Sequence, residues 1–136
     1  MTGRKTIDDL LADSRRSLDR VTPDEALAAL AKGGVLVDVR SHDERARQGT
    51  VPGAVHHPLS VLLWRLDPAQ PTHNEKLSLD TRVVLICREG YSSSIAAAQL
   101  QELGFSNATD VVGGVDAWVA AGLPVERADG AVRAAR

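Results

Sequence analysis

The chain has 136 residues, which is enough for one domain with one core and too few for two domains of ordinary size. Hydrophobic residues make up 43% of it and charged residues 25%, a balance that is typical of globular proteins and excludes disorder throughout. The formal net charge of −2 gives no electrostatic reason to expect nucleic acid or an anionic membrane as a partner.

Two helix starts open the chain. Thr6 precedes an acid-rich first turn, and the helix predicted there carries few apolar residues, as a surface helix does. The Thr-Pro-Asp-Glu segment 22–25 combines an N-cap, a proline at the first helical position and a capping-box glutamate. We assign residues 1–21 to an N-terminal helical extension, 22–126 to the main domain and 127–136 to a flexible tail.

From residue 35 onwards, strands and helices alternate. The apolar runs 35–39 and 83–86 are typical of parallel strands that are covered on both faces. Shorter strands are predicted at 54–57 and 109–112, and helices after Ser41 and at 59–66, 92–103 and 115–121. This alternation predicts one α/β domain with a mostly parallel sheet, in which the binding site lies beyond the carboxyl ends of the strands.

No apolar stretch approaches the roughly 18 residues that a membrane-spanning helix needs. Near the start of the chain, Asp8 and Asp9 stand where a signal peptide would have its apolar run. We therefore expect a cytoplasmic protein, and the lack of an obvious apolar patch predicts a monomer or a weak dimer.

Cys87, which is the single cysteine, directly follows the predicted strand 83–86. The short loop after it can direct backbone N–H groups towards the sulfur, and the helix start adds positive charge, so both favour a reactive thiolate. Gly90 permits the tight curl, Ser92 and Ser93 can cap the helix and donate to an anion, and Arg88 adds a cation at the rim. An inert buried cysteine is the weaker alternative.

Two kinds of chemistry use an anion-binding loop around a thiolate, namely phosphoryl transfer and sulfur transfer through a persulfide. A phosphatase has an arginine six residues after the cysteine to hold the phosphate. In this chain Ser93 stands there, and no arginine lies between Arg88 and the end of the next helix. This absence argues against phosphatase or arsenate reductase chemistry.

Four motifs in the same order resemble those of the rhodanese family of sulfurtransferases, over residues 22–125. They are Asp38-Val39-Arg40, Gly-Thr-Val-Pro-Gly-Ala at 49–54, the loop 87–92, and Gly-Gly-Val-Asp-Ala-Trp at 113–118. The resemblance implies a single rhodanese-like domain whose central, mostly parallel, five-stranded sheet has helices on both faces.

The resemblance also implies roles for individual residues. Cys87 would take the outer sulfur of a donor such as thiosulfate and hold it as a persulfide, without a metal or an organic cofactor. The substrate-binding loop would consist of Arg88, Glu89, Gly90, Tyr91, Ser92 and Ser93. Asp38 and Arg40 would be structural residues near the site. Two positions depart from the family pattern, because Thr50 stands where histidine is frequent and Ser92 where many members have a second loop arginine.

Three further residues are candidates for the pocket entrance. His57 lies near the carboxyl end of its predicted strand and could reach the mouth, although a surface histidine is the simpler interpretation. Trp64 and Arg65 fall in a connection where the family has pocket residues, and Trp64 fits an ordinary apolar helix face equally well.

Two hypotheses about function remain. In the first, the protein is a sulfurtransferase whose acceptor, a thiol or cyanide, comes from outside because the chain has no second cysteine. In the second, it is a rhodanese-like binding or sensing module, or a sulfur carrier to a protein partner.

Overall fold

The structure is a computed structural model, and it describes residues 3–127 and 132–134. The helices of this part are α1 (Ile7–Arg15), α2 (Pro23–Ala31), α3 (His42–Gln48), α4 (Leu62–Leu66), α5 (Ser92–Glu102) and α6 (Gly114–Ala120). The strands are β1 (Val35–Asp38), β2 (Val55–His56), β3 (Val83–Ile86), β4 (Thr109–Asp110), β5 (Pro124–Glu126) and β6 (Val132–Ala134). Within these residues, no helix is long and apolar enough to span a bilayer.

The central sheet is parallel and has the strand order β2-β1-β3-β4. In the described residues it has four strands rather than the five expected. At the β4 edge, where a fifth strand would pair, Val21 forms an isolated parallel bridge with Val111. Strands β5 and β6 form a separate antiparallel pair. The prediction of one α/β domain with a parallel sheet is confirmed, and the number of sheet strands is corrected.

The alternation of side chains along each strand divides the core into two layers. One set of strand residues packs against α2 and α6, and the other packs against α4 and α5. The first set includes Leu36, Val84 and Ile86. The second set includes Val37, Val83 and Leu85. Helices therefore cover both faces of the sheet, as the continuous apolar runs predict.

Capping boxes begin the first three helices. In each, the side chain of the N-cap residue accepts from a backbone N–H three residues on, and an acidic side chain accepts from the N-cap N–H in return. The N-cap residues are Thr6, Thr22 and Ser41. Each such cap stabilises its helix by about 1 kcal/mol.

The N-terminal extension packs directly on the domain. Helix α1 lies against α5, and the segment after it runs beside β4, where Val21 N–H donates to Asp110 O at 3.1 Å and Val112 N–H donates to Val21 O at 2.8 Å. Residues 128–131 and 135–136 of the predicted flexible tail lie outside the described residues.

Candidate active site

Cys87 directly follows β3, so it lies at the carboxyl edge of the parallel sheet. The residue is 5% exposed. Its Sγ accepts the backbone N–H of Gly90 at 3.1 Å and lies 3.2 Å from Ser93 Oγ. The loop therefore curls back over the sulfur as the sequence predicts, with one amide directed at it.

The first residues of α6 hold this loop in place through backbone hydrogen bonds. Val115 N–H donates to Cys87 O at 2.8 Å, and Asp116 N–H donates to Arg88 O at 3.0 Å. A Cβ at Gly114 would collide with both of these carbonyl oxygens, so the Gly113-Gly114 turn is what lets α6 approach them. The two carbonyls are thereby committed to α6, which leaves the inner side of the loop to N–H groups.

A cavity of about 270 Å³ opens beside Cys87. Its lining comes from the loop after β3, the end of β1, the first turn of α3 and the segment after β2. The lining residues are Val39, Arg40, Glu44, Leu59, Cys87, Arg88, Glu89, Tyr91 and Ser92. Four of the six predicted substrate-binding residues, together with Cys87 and the predicted structural Arg40, are thus brought together around one space, and Gly90 and Ser93 are not among the lining residues.

Ser93 points away from this cavity, towards a buried carboxylate. Its hydroxyl donates to Asp110 Oδ2 at 2.7 Å, and the hydroxyl of Ser94 donates to the same oxygen at 2.8 Å. The predicted capping of α5 by Ser92 or Ser93 is wrong, since the N-cap is Tyr91 and no side chain caps the helix. Ser92 is already the first residue of α5, and the hydroxyls of Ser93 and Ser94 donate to the buried Asp110.

The sequence analysis gave Asp110 no role, although a carboxylate within a predicted strand is a signal. Its side chain is fully buried and also accepts Arg20 Nε at 2.8 Å and Arg20 Nη2 at 3.2 Å. Asp110 therefore links the N-terminal extension to the serine that touches the cysteine.

Two arginines of the N-terminal extension reach the active-site loop itself. Arg15 Nη2 donates to Gly90 O at 2.8 Å, and Arg20 Nη2 donates to the same oxygen at 2.9 Å. Arg15 Nε also donates to Ser94 Oγ at 3.1 Å. Its guanidinium stands 5.7 Å from the centre of the Tyr91 ring, a distance that allows a cation–π contact.

Asp38 and Arg40 form a buried ion pair at the end of β1. Arg40 donates to both oxygens of Asp38, at 3.0 and 2.8 Å, and Arg45 Nε donates to Asp38 Oδ2 at 3.2 Å. Burial acts to raise the pKa of Asp38, but the hydrogen bonds and charge of Arg40, with the charge of Arg45, hold it below its ordinary value. Arg40 Nη2 also donates to Gly49 O at 2.9 Å, so the pair anchors the segment before β2.

The three predicted entrance residues are not among those that line the cavity beside Cys87. His57 is half-buried, and its Nε2 lies 3.2 Å from Asn74 Nδ2. Burial lowers the pKa of His57, and the charges of Arg65 and His56 lower it further. Arg65 donates to Thr72 O at 3.3 Å, and Trp64 is 57% exposed.

Comparison with known proteins defines the class to which this fold and site belong. Residues 22–121 match the rhodanese-like domain family, and the chain is therefore a member of that family. The resemblance that the four sequence motifs carry is confirmed.

Individual relatives agree with this membership. A thiosulfate sulfurtransferase GlpE of Pseudomonas entomophila (strain L48) is 34% identical over 102 residues, which are 73% of this chain and 83% of that protein. The human single-domain sulfurtransferase TSTD1 is 31% identical, with a TM-score of 0.63 over 74% of this chain and 95% of its own.

One solved structure matches a longer part of the chain. A Rhodopseudomonas palustris CGA009 protein of unknown function, described as a possible tyrosine phosphatase, is 29% identical and has a TM-score of 0.83. The match covers 93% of this chain and 98% of that one, so it extends beyond residues 22–121.

Proposed function

We propose that the protein is a sulfurtransferase that moves sulfane sulfur from a donor such as thiosulfate to a thiophilic acceptor through a persulfide on Cys87. The observation that carries the proposal is the position of the sulfur. Cys87 Sγ lies at the wall of a cavity, beneath a loop that directs the Gly90 N–H at it. The names of the curated relatives support the same activity.

In the first half-reaction, the Cys87 thiolate attacks the outer sulfur of the donor. A new S–S bond forms as the old one breaks, and with thiosulfate the leaving sulfite takes the bonding electron pair. In the second half-reaction, a nucleophile such as a thiol or cyanide attacks the outer sulfur of the persulfide. Cys87 leaves as the thiolate, which restores the starting state.

Ser93 can serve both protonation states of Cys87. With its O–H donated to Asp110, Ser93 Oγ accepts the S–H of the thiol, which is the arrangement in the structure. Once the sulfur has lost its proton, the hydroxyl can rotate and donate to the sulfur instead, because Asp110 keeps the bonds from Ser94 and Arg20. A charge on the sulfur is thereby stabilised at the loss of one hydrogen bond to Asp110, which stays bound to Ser94 and Arg20.

The charges around the cavity bear on the choice of donor. Arg40 is committed to Asp38, so Arg88 is the cation that the loop offers to a donor. Two carboxylates, those of Glu44 and Glu89, line the same cavity. This balance supports a singly charged persulfide donor at least as well as doubly charged thiosulfate.

A phosphatase is the second candidate, since the Rhodopseudomonas palustris protein is described as a possible one. Ser93 occupies the position of the phosphate-binding arginine, and Arg15 and Arg20, which reach the loop from the N-terminal extension, bind the carbonyl of Gly90. Hydrolysis of p-nitrophenyl phosphate that depends on Cys87 would favour this candidate.

Intact mass spectrometry tests the proposal. Wild-type protein treated with thiosulfate, or with a low-molecular-weight persulfide, is expected to gain one sulfur atom and to lose it again when cyanide is added. The Cys87→Ser variant should fold as the wild type does, by circular dichroism, and gain no sulfur. Failure of every donor to add sulfur would overturn the proposal and favour a binding or sensing module. A cytoplasmic location and a monomer or weak dimer remain predictions.

A further inference from the structure

Two guanidinium groups from outside the family domain converge on one backbone oxygen of the active-site loop. Arg15 and Arg20 both donate to Gly90 O, at 2.8 and 2.9 Å, while the N–H of the same glycine donates to Cys87 Sγ. Both arginines precede residue 22, where the match to the rhodanese-like family begins. The N-terminal extension therefore holds the outer side of the loop through these hydrogen bonds.

The hydrogen bonds from the two arginines also orient the peptide group between Gly90 and Tyr91. The described residues include no cis peptide bond, so the C=O of Gly90 and the N–H of Tyr91 point in opposite directions. Because the carbonyl is drawn outward to the two guanidiniums, the Tyr91 N–H faces the other way. Tyr91 lines the cavity beside Cys87. The hydrogen bonds from the two arginines therefore favour a loop conformation in which the Tyr91 N–H points into the cavity and can donate to an anion there.

The position of Arg20 is determined by β4 and its buried carboxylate. The backbone of Val21 bonds to Asp110 O and Val112 N on the β4 edge, which brings Arg20 over the sheet. Asp110 accepts two hydrogen bonds from Arg20 and the hydroxyls of Ser93 and Ser94. The charge of Arg20 is thus compensated by Asp110, and Arg20 Nη2 also donates to Gly90 O.

We infer that Arg15 and Arg20 are positioning residues that hold the Cys87 loop in its anion-binding conformation. The inference rests on the proposed function and adds a role for the N-terminal extension. It requires that the arginines act through the Gly90–Tyr91 peptide rather than by contact with the donor, since neither is among the residues that line the cavity.

Thiosulfate binding without reaction isolates this effect. In a Cys87→Ala background no persulfide can form, and the Kd for thiosulfate reports on the loop alone. We expect Arg15→Met and Arg20→Met each to raise this Kd about tenfold, because each removes one charged hydrogen bond to Gly90 O. Arg15→Lys, which keeps the charge and one donor, should recover most of the loss.

The matched control is Arg16→Met. Arg16 is next to Arg15 in the chain, its side chain is 77% exposed, and it pairs with Asp13 rather than with the loop. Its substitution should change the Kd by less than about twofold. Because Arg15 and Arg20 share one acceptor, the double variant should raise the Kd by less than the product of the single effects.

Three results would overturn the inference: no thiosulfate binding by the Cys87→Ala protein, arginine variants that bind as Arg16→Met does, and single effects that simply multiply. Circular dichroism and Tm establish that each variant is folded. If Arg20→Met leaves Asp110 without its ion pair and the protein unfolds, Arg15→Met and Arg15→Lys still decide, because Arg15 forms no ion pair with a carboxylate among the described residues. The proposed function fails separately, if the wild type accepts sulfur from no donor.

Discussion

Asp38 is the residue at which charge, burial and fold stability are most closely connected. Its carboxylate is buried with Arg40 and is touched from α3 by Arg45 at 3.2 Å. A buried ion pair adds stability only when its geometry is good, and the two-pronged contact of Arg40 with Asp38 meets that condition. The pair joins the end of β1 to the segment before β2, and so it shapes one wall of the cavity.

The lowered pKa of Asp38 predicts a loss of stability in acid. The pKa lies below the ordinary value of 3.8, so the unfolded chain binds the proton at higher pH than the folded protein does. The stabilisation is complete above about pH 5, begins to fall near the unfolded pKa and is lost as the pH passes below the folded one.

Arg45→Gln tests this prediction. The variant should be destabilised by about 1 kcal/mol at neutral pH, and its difference from the wild type should shrink in acid, as the pH falls through the lowered pKa at which Asp38 of the folded protein becomes protonated. Arg47→Gln, an exposed arginine on the same helix, is the control and should change stability by less than about 0.5 kcal/mol. Urea unfolding at several pH values measures both, and a difference for Arg45→Gln that stays constant with pH would contradict the assignment.

At the scale of elements, the Cys87 loop is held from three sides. Helix α6 binds its first two carbonyls, the N-terminal extension binds the carbonyl of Gly90, and Asp110 on β4 binds the serines that begin α5. Gly90 lies where these contacts leave no room for a side chain. Its φ is +86°, and a Cβ there would lie 2.7 Å from Gly113 N and 3.1 Å from Val111 O.

Gly90→Ala should therefore displace the loop. We expect the rate of sulfur acceptance to fall by about two orders of magnitude, as is typical when a reacting group is misplaced by about 1 Å. Gly53→Ala is the matched control, because Gly53 has a φ of +85° and no atom within 4 Å of the added Cβ. Both variants incur the cost of about 1–2 kcal/mol for a left-handed residue, and only Gly90→Ala should lose activity. Equal rates of sulfur acceptance in the two variants would show that the close packing at Gly90 is unimportant.

At the scale of the whole molecule, the largest buried side chain lies in the core layer that α2 and α6 form on one face of the sheet. Trp118 of α6 is the largest fully buried side chain among the described residues, and its Nε1 donates to Pro124 O at 2.9 Å. It lies in the layer formed with α2, on the side of the sheet opposite α5. The same helix holds the carbonyls of Cys87 and Arg88, so the packing of Trp118 supports the site from behind.

Trp118→Ala should cost about 3–5 kcal/mol of unfolding free energy, because it leaves a large cavity and removes the hydrogen bond to Pro124 O. Trp64, the other tryptophan, is 57% exposed, and Trp64→Ala should cost less than about 1 kcal/mol. Chemical denaturation of the two variants gives the comparison directly. Similar losses of unfolding free energy in the two variants would contradict the stabilising role that we assign to the buried Trp118.

Much of the fold and part of the site were accessible from sequence because the signals are local. The three capping boxes, the apolar runs of β1 and β3, and the cysteine directly after a buried strand each lie within a few consecutive residues. Rules for helix ends and buried strands act on such short segments. They therefore placed Cys87 at the carboxyl edge of the sheet and the loop 88–92 around it.

The contacts that bring Arg15, Arg20 and Asp110 to the Cys87 loop could not be obtained in this way. The hydrogen bonds of the two arginines join residues 70 to 90 positions apart, and no local pattern distinguishes these arginines from Arg16, which faces solvent. The amino-acid sequence by itself determined the class of fold and placed Cys87, the proposed nucleophile, and its loop at the end of a buried strand. Only the tertiary structure decided which charges surround that loop, because the packing of α1 on α5 and of Val21 beside β4 selects which side chains reach it.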